Sequence, residues 1–189
     1  VIDIQETISL IKKTESPLKK QLLIVALITH FFVEKDIKPP VIIGGCALSY
    51  YSREVYFTAD IDLACADKNF MDKVLKNIGF EKEGKYWISE TLNIAIEVPA
   101  SLLIEEEAPL EIVEISDGLK CTIIGLEDLI IDRMNACKHW GSQIDCEMTE
   151  LLIHRYINDI DWTYLENKAN EPDNDILEEL IELKRKASV

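Results

Sequence analysis

V-I-I-G-G-C-A-L-S-Y-Y-S-R-E-V-Y-F-T-A-D-I-D-L, residues 41–63, is the stretch on which the reading of this chain turns. Val41, Ile42 and Ile43 are a short β-branched run, which predicts a buried strand. The run stops at Gly44-Gly45, and residues 46–53 read as a short helix. Glycines at such a junction let the backbone turn sharply and approach a ligand closely. The helix start that follows offers free N–H groups and a positive dipole end, both suited to phosphate. Residues 60–65 read as a second strand. Alternation puts Asp60 and Asp62 on one face, with Ile61 and Leu63 on the other. Two carboxylates held that close repel, and each has its pKa raised unless a cation joins them. A divalent metal resolves the conflict, and Mg²⁺ favours one or two carboxylates with waters and substrate phosphate oxygens.

A third acid lies downstream. In Leu92-Asn93-Ile94-Ala95-Ile96-Glu97-Val98 the apolar residues share one face of a strand, and Asn93, Ala95 and Glu97 share the other. Placed beside the Asp60–Asp62 strand, Glu97 completes a three-carboxylate cluster able to hold two ions of Mg²⁺ or Mn²⁺ about 3.5–4 Å apart. One ion would orient a triphosphate. The other would activate an acceptor hydroxyl, with Glu97 or Asp62 near enough to take its proton. Ser49, Ser52 and Arg53, on the helix after the glycines, are candidate phosphate contacts. Arg133 and Lys138, on a later helix, are candidate counter-charges for the triphosphate.

Around this unit the chain reads as helices, then a mixed core, then more helices. Ile4, Ile8 and Ile11 recur at helical spacing. Ser16-Pro17 is an N-cap followed by proline at the first helical position, opening a buried helix that runs to about residue 35. Asp67 caps a helix that Gly79 ends. Residues 85–89 and 92–98 are strands, and Asp117-Gly118 turns a hairpin between strands at 111–115 and 120–124. Helices follow at 127–139, 144–157, 162–168 and 175–186, the last two separated by Pro172. The expected fold is α+β, with a core and its N-terminal helices over residues 1–125 and a C-terminal helical region over 126–189.

Composition narrows the partners. Hydrophobic residues make up 48% of the 189, enough for a core. No apolar run is long enough to cross a bilayer. Asp and Glu outnumber Lys and Arg by 35 to 20, for a net charge of −15, which disfavours an extensive nucleic-acid surface while leaving room for a local basic patch. Small cationic substrates or a basic protein partner suit that charge better, and a homo-oligomer is left open. The five cysteines are odd in number and show no disulfide framework. Cys137, Cys146 and His154 match no common zinc module and read as helix-face residues. The opening residues lack the order of a signal peptide, so the expected compartment is the reducing cytoplasm.

Gly44-Gly45, Asp60-x-Asp62 and a later strand acid together resemble the signature of the nucleotidyltransferase superfamily that includes DNA polymerase β. Within it, G-G-C-A-L-S-Y-Y-S-R followed by D-I-D-L is similar to the AbiEii-type toxin branch. Leu126-Glu127-Asp128-Leu129-Ile130 with Asp132-Arg133 resembles the helix after the catalytic core there. The likeness spans residues 41–152. It implies a mixed-sheet minimal nucleotidyltransferase core flanked by helices. It also implies transfer of a nucleoside monophosphate from a nucleoside triphosphate (NTP) to a hydroxyl of RNA, protein or a small molecule such as an aminoglycoside. A toxin–antitoxin setting is a further implication. In this chain Gly45 stands where Gly or Ser is usual, and Glu97 stands where Asp is usual.

Overall fold

A computed structural model describes residues 2–99 and 108–188 of the chain. Among these residues seven strands form one mixed sheet and eight helices surround it. Helix α1 (Ile4–Lys13) is capped by the Asp3 carboxylate. Helix α2 (Pro17–Glu34) starts as the Ser16-Pro17 pair predicts, with the Ser16 hydroxyl accepting from Lys19 N–H at 3.1 Å. Its middle is buried on every side, from Leu22 through Thr29, so it passes through the core rather than lying on the surface.

Strand β1 (Val41–Ile43) leads into α3 (Gly44–Tyr51), which begins two residues earlier than the sequence suggests and takes both glycines into its first turn. Strand β2 (Asp60–Ala64) follows, then α4 (Lys68–Asn77), capped by Asp67 through Phe70 N–H at 2.9 Å. Next come β3 (Glu81–Glu83), β4 (Tyr86–Ser89), β5 (Ile94–Glu97), and the hairpin of β6 (Leu110–Ser116) and β7 (Leu119–Ile124). Strand β3 has no counterpart in the sequence reading. Its Glu-Lys-Glu is exposed throughout, so no alternation marks it, and it exists as a charged edge paired to β4. Helices α5 (Leu126–Trp140), α6 (Gln143–Arg155), α7 (Trp162–Ala169) and α8 (Leu177–Ala187) complete the described chain. None of the described helices is long and apolar enough to cross a membrane.

The strand order is β3-β4-β5-β2-β1-β7-β6. At its centre β1 runs antiparallel to β2 and parallel to β7, while β2 runs parallel to β5. One face of these strands carries Ile42, Ile61, Leu63, Ile94, Ile96 and Ile123 into the main core, against residues of α2, α3 and α4. That core does not stop at Gly125. Leu129, Ile130, Leu152, Leu165 and Leu180 of the later helices belong to the same continuous cluster.

One expectation is corrected here. Cys137 and Cys146 form a disulfide. The nine-residue spacing hid it, because the two meet only once α5 and α6 fold back on each other about Gly141, whose φ of +66° makes the turn. Cys46, Cys65 and Cys121 are free and buried, and burial pushes the Cys121 thiol up to about 12 and the Cys65 thiol up to about 11. The tryptophans divide: Trp87 is in the core, whereas Trp140 is 79% exposed at the end of α5.

Candidate active site

Register assembles the site. Asp62 lies opposite Ile43 on one side and Glu97 on the other, and Asp60 lies opposite Ala95. Direct partners in a sheet share a face, so Asp60, Asp62 and Glu97 stand together on the face away from the main core. Tyr86 pairs with Glu97 from the far side and extends the same row.

Gly44 and Gly45 close around Asp62. Gly44 has φ of +59°, and a Cβ there would lie 2.5 Å from Asp62 Oδ2, so both conformation and space demand glycine. The Gly45 N–H faces the Asp62 carboxylate and favours its charged form. A Cβ on Gly45 would meet Thr58 at 3.1 Å. Ile43 at the N-cap supplies no side-chain hydrogen bond, so the first turn of α3 is left without a side-chain cap.

The acids conflict electrostatically. Burial raises the Asp62 pKa to about 6, and the charges of Asp60 and Glu97 add to it; the Gly45 N–H and the Lys85 ammonium pull the other way. Asp60 accepts a short hydrogen bond from the Thr58 hydroxyl. Glu97 is held by Lys85, Nζ to Oε2 at 2.8 Å, and the same ammonium lies 4.7 Å over the Tyr86 ring. Glu97 thus stands in register with the aspartates but is committed to Lys85 rather than to a shared cluster. Among the described residues, no three His, Cys, Asp or Glu side chains are grouped to hold a metal ion. The donor set does fit a hard cation on two carboxylates, since Mg²⁺ takes most of its remaining ligands from water and phosphate. A cation there would offset both the burial of the Asp62 charge and its repulsion by Asp60.

The remaining sequence candidates go elsewhere. Ser49 is 2% exposed and its hydroxyl donates to Tyr56 O at 3.0 Å. Ser52 is fully buried and accepts from Tyr56 N–H at 3.1 Å. Ser49 lies on α3 and Ser52 at its end, and both brace the loop that leads to β2. Arg53 is exposed in that loop with φ of +52°. Arg133 pairs with Asp145 at 2.9 Å and with Asp132, joining α5 to α6. Lys138 pairs with Glu179 at 2.9 Å and joins α5 to α8. Their charges are taken up by the C-terminal helices rather than brought to the aspartates.

Three residues escaped the sequence reading. Thr58 was detectable, since it continues the alternation of Asp60 and Asp62 by one more step. Gln21 is a buried amide in an apolar helix; it donates to Thr58 O at 2.9 Å and accepts from the Cys46 thiol. Lys85, just before β4, holds Glu97.

The mixed sheet with its flanking helices is similar to a nucleotidyltransferase-like fold. Among solved structures, an antigenic nucleotidyltransferase-like protein from Paracoccidioides brasiliensis superposes with a TM-score of 0.60 at 15% identity, over 91% of this chain and 94% of that one. The antibiotic-resistance factor ANT(2'')-Ia gives a TM-score of 0.47 at 15% identity, over 71% of this chain and 83% of that one. No family model and no curated protein matches by sequence. At this identity the likeness to the fungal protein establishes the fold.

Proposed function

We propose that the chain is a metal-dependent nucleotidyltransferase that transfers a nucleoside monophosphate from an NTP to a hydroxyl acceptor. The observation that carries this reading is the closure of Gly44 and Gly45 around Asp62, with Asp60 beside it, inside a nucleotidyltransferase-like fold. Asp60 and Asp62 would hold Mg²⁺ or Mn²⁺, which when bound supplies positive charge to the triphosphate oxygens. The uncapped first turn of α3 presents backbone N–H groups to phosphate. Glu97, in register with Asp62, takes the proton of the acceptor hydroxyl. The acceptor oxygen bonds to the α-phosphorus, the α–β phosphoanhydride breaks, and pyrophosphate leaves. The resemblance of residues 44–53 and 60–63 to the AbiEii-type branch extends the proposal to the toxin half of a two-component system, with a protein partner. RNA, a protein side chain and a small cationic molecule of aminoglycoside type are the acceptor classes to try.

The test is calorimetric titration of the four common NTPs, with and without Mg²⁺, on the wild type and on Asp60→Ala/Asp62→Ala. Metal-dependent binding that the double variant loses is the expected result. A folded wild type that binds no triphosphate would sink the reading.

One observation favours a second reading, a nucleotide-binding module without turnover: Lys85 occupies the carboxylate that the reaction needs as its base. Metal-dependent binding with no release of pyrophosphate, in wild type and in Lys85→Ala alike, would mark that module.

A further inference from the structure

The loop between α3 and β2 carries an arrangement that the proposed chemistry does not use. Phe57 is 60% exposed. An isolated exposed ring is ordinary on a loose loop, but this loop is fixed at several points. Tyr56 is bonded through its carbonyl to Ser49 and through its N–H to Ser52. The Thr58 carbonyl is held by Gln21 and the Thr58 hydroxyl is bonded to Asp60. Glu54 accepts from the Ser16 hydroxyl at 3.3 Å, which ties the loop to the start of α2. The backbone on both sides of Phe57 is anchored while its ring is left to water.

Beside the ring is a cavity of about 240 Å³, lined by Phe57, Ala59 and Asn93 and by Glu15, Lys20 and Gln21 from the α1–α2 corner. None of Asp60, Asp62 and Glu97 lines it, but it is linked to Asp60 through Gln21, which donates to Thr58 O, and through the Thr58 hydroxyl, which donates to Asp60. Asn93, at φ of +52°, stands just before β5 and is exposed. The same corner carries Lys12, Lys13, Lys19 and Lys20 within nine residues. None of the four side chains makes an ion pair among the described residues. Within residues 12–20 only Glu15 opposes these four lysines, which leaves a local excess of positive charge in a chain whose net charge is −15.

We infer that this corner is a binding subsite for a phosphate-bearing nucleobase. The base stacks on Phe57 with its polar edge toward Asn93, and the phosphate lies toward Lys19 and Lys20. An exposed aromatic platform next to cationic side chains is the combination by which proteins hold unpaired bases. The inference rests on the nucleotidyltransferase reading only for its meaning, as a seat for a second nucleotide unit, connected to Asp60 through Thr58. The unit comes either from a free mononucleotide or from the end of a single strand.

The experiment is metal-free binding to the full chain, in EDTA, of the four nucleoside monophosphates, of ribose 5-phosphate and of a six-residue single-stranded oligonucleotide. At least one monophosphate is expected to bind more tightly than ribose 5-phosphate. Phe57→Ala is expected to weaken it on the order of tenfold, with Phe57→Trp retaining affinity. Lys19→Gln/Lys20→Gln is expected to weaken it and flatten its salt dependence. An oligonucleotide that binds far more tightly, with a steeper salt slope, assigns the unit to a strand; equal affinities assign it to a free nucleotide. Asp60→Ala/Asp62→Ala is expected to keep this metal-free binding even while losing metal-dependent triphosphate binding, which separates the two proposals. Binding that is unchanged in Phe57→Ala, ribose 5-phosphate that binds as well as the monophosphates, or no binding of any of these probes would overturn the inference.

Discussion

Asp62 is where folding and chemistry oppose each other. Its carboxyl has a folded pKa of about 6 against an ordinary value of 3.8. The folded chain therefore keeps that proton over a range in which the unfolded chain has lost it. The contribution to stability is full below about pH 4 and is lost as the pH rises to about 6. In EDTA, the thermal midpoint of the wild type should fall across that window. Asp62→Asn should flatten the fall and raise the midpoint at pH 7, while abolishing metal-dependent triphosphate binding; a lower midpoint at pH 7 would contradict this account. Gly44 makes the complementary case. Gly44→Ala places a methyl group on a left-handed residue and against Asp62 Oδ2, so it should destabilise by at least about 1 kcal/mol in a denaturant titration and weaken the triphosphate site. At this scale the aspartates could be read from the sequence, because strand alternation fixes side-chain direction. Ser49 and Ser52 could not, because spacing along a helix gives a face without saying what that face meets. Glu97 was placed on the right face, but its partner Lys85 depends on a pairing between β4 and β5 that no local pattern encodes.

Between elements, the site helix is secured from a distance. The C-terminal end of α3 shows its last carbonyls to α6. Arg155 donates to Tyr51 O and Ser52 O, and the Tyr156 hydroxyl donates to Tyr51 O at 2.9 Å. Orphan carbonyls at a helix end need partners when water is excluded. Arg155→Met keeps much of the side-chain volume and removes the donors. It should destabilise the protein by about 1–3 kcal/mol in a denaturant titration. Arg155→Lys should recover part of that loss, because one ammonium cannot span two carbonyls in the guanidinium geometry. The individual elements were largely legible: the Ser16-Pro17 and Asp67 caps and the Asp117-Gly118 turn mark their own positions. What the sequence hid were elements defined by neighbours. Strand β3 is a strand only because β4 pairs with it, and the Cys137–Cys146 bond needs two helices already folded back on each other.

For the molecule as a whole, the boundary expected near Gly125 marks a change of element type, yet the apolar cluster passes through it. A fragment of residues 1–125 would expose the surfaces that Leu129, Ile130 and Leu152 cover, and it would lose the partners of Tyr51 and Ser52. It should be unfolded or aggregated by circular dichroism and size-exclusion chromatography. A monomeric fragment with a cooperative thermal transition would show that the two stretches are separable. The sheet centre carries a related consequence for how the chain is made. Strand β1 has three residues and depends on two neighbours, β2 close behind it and β7 some eighty residues on. On a ribosome, Ile43 and the glycines after it would wait for the β6–β7 hairpin to emerge before their strand is flanked on both sides. The sheet around Asp62 would then be completed only after the chain has been translated past Ile124.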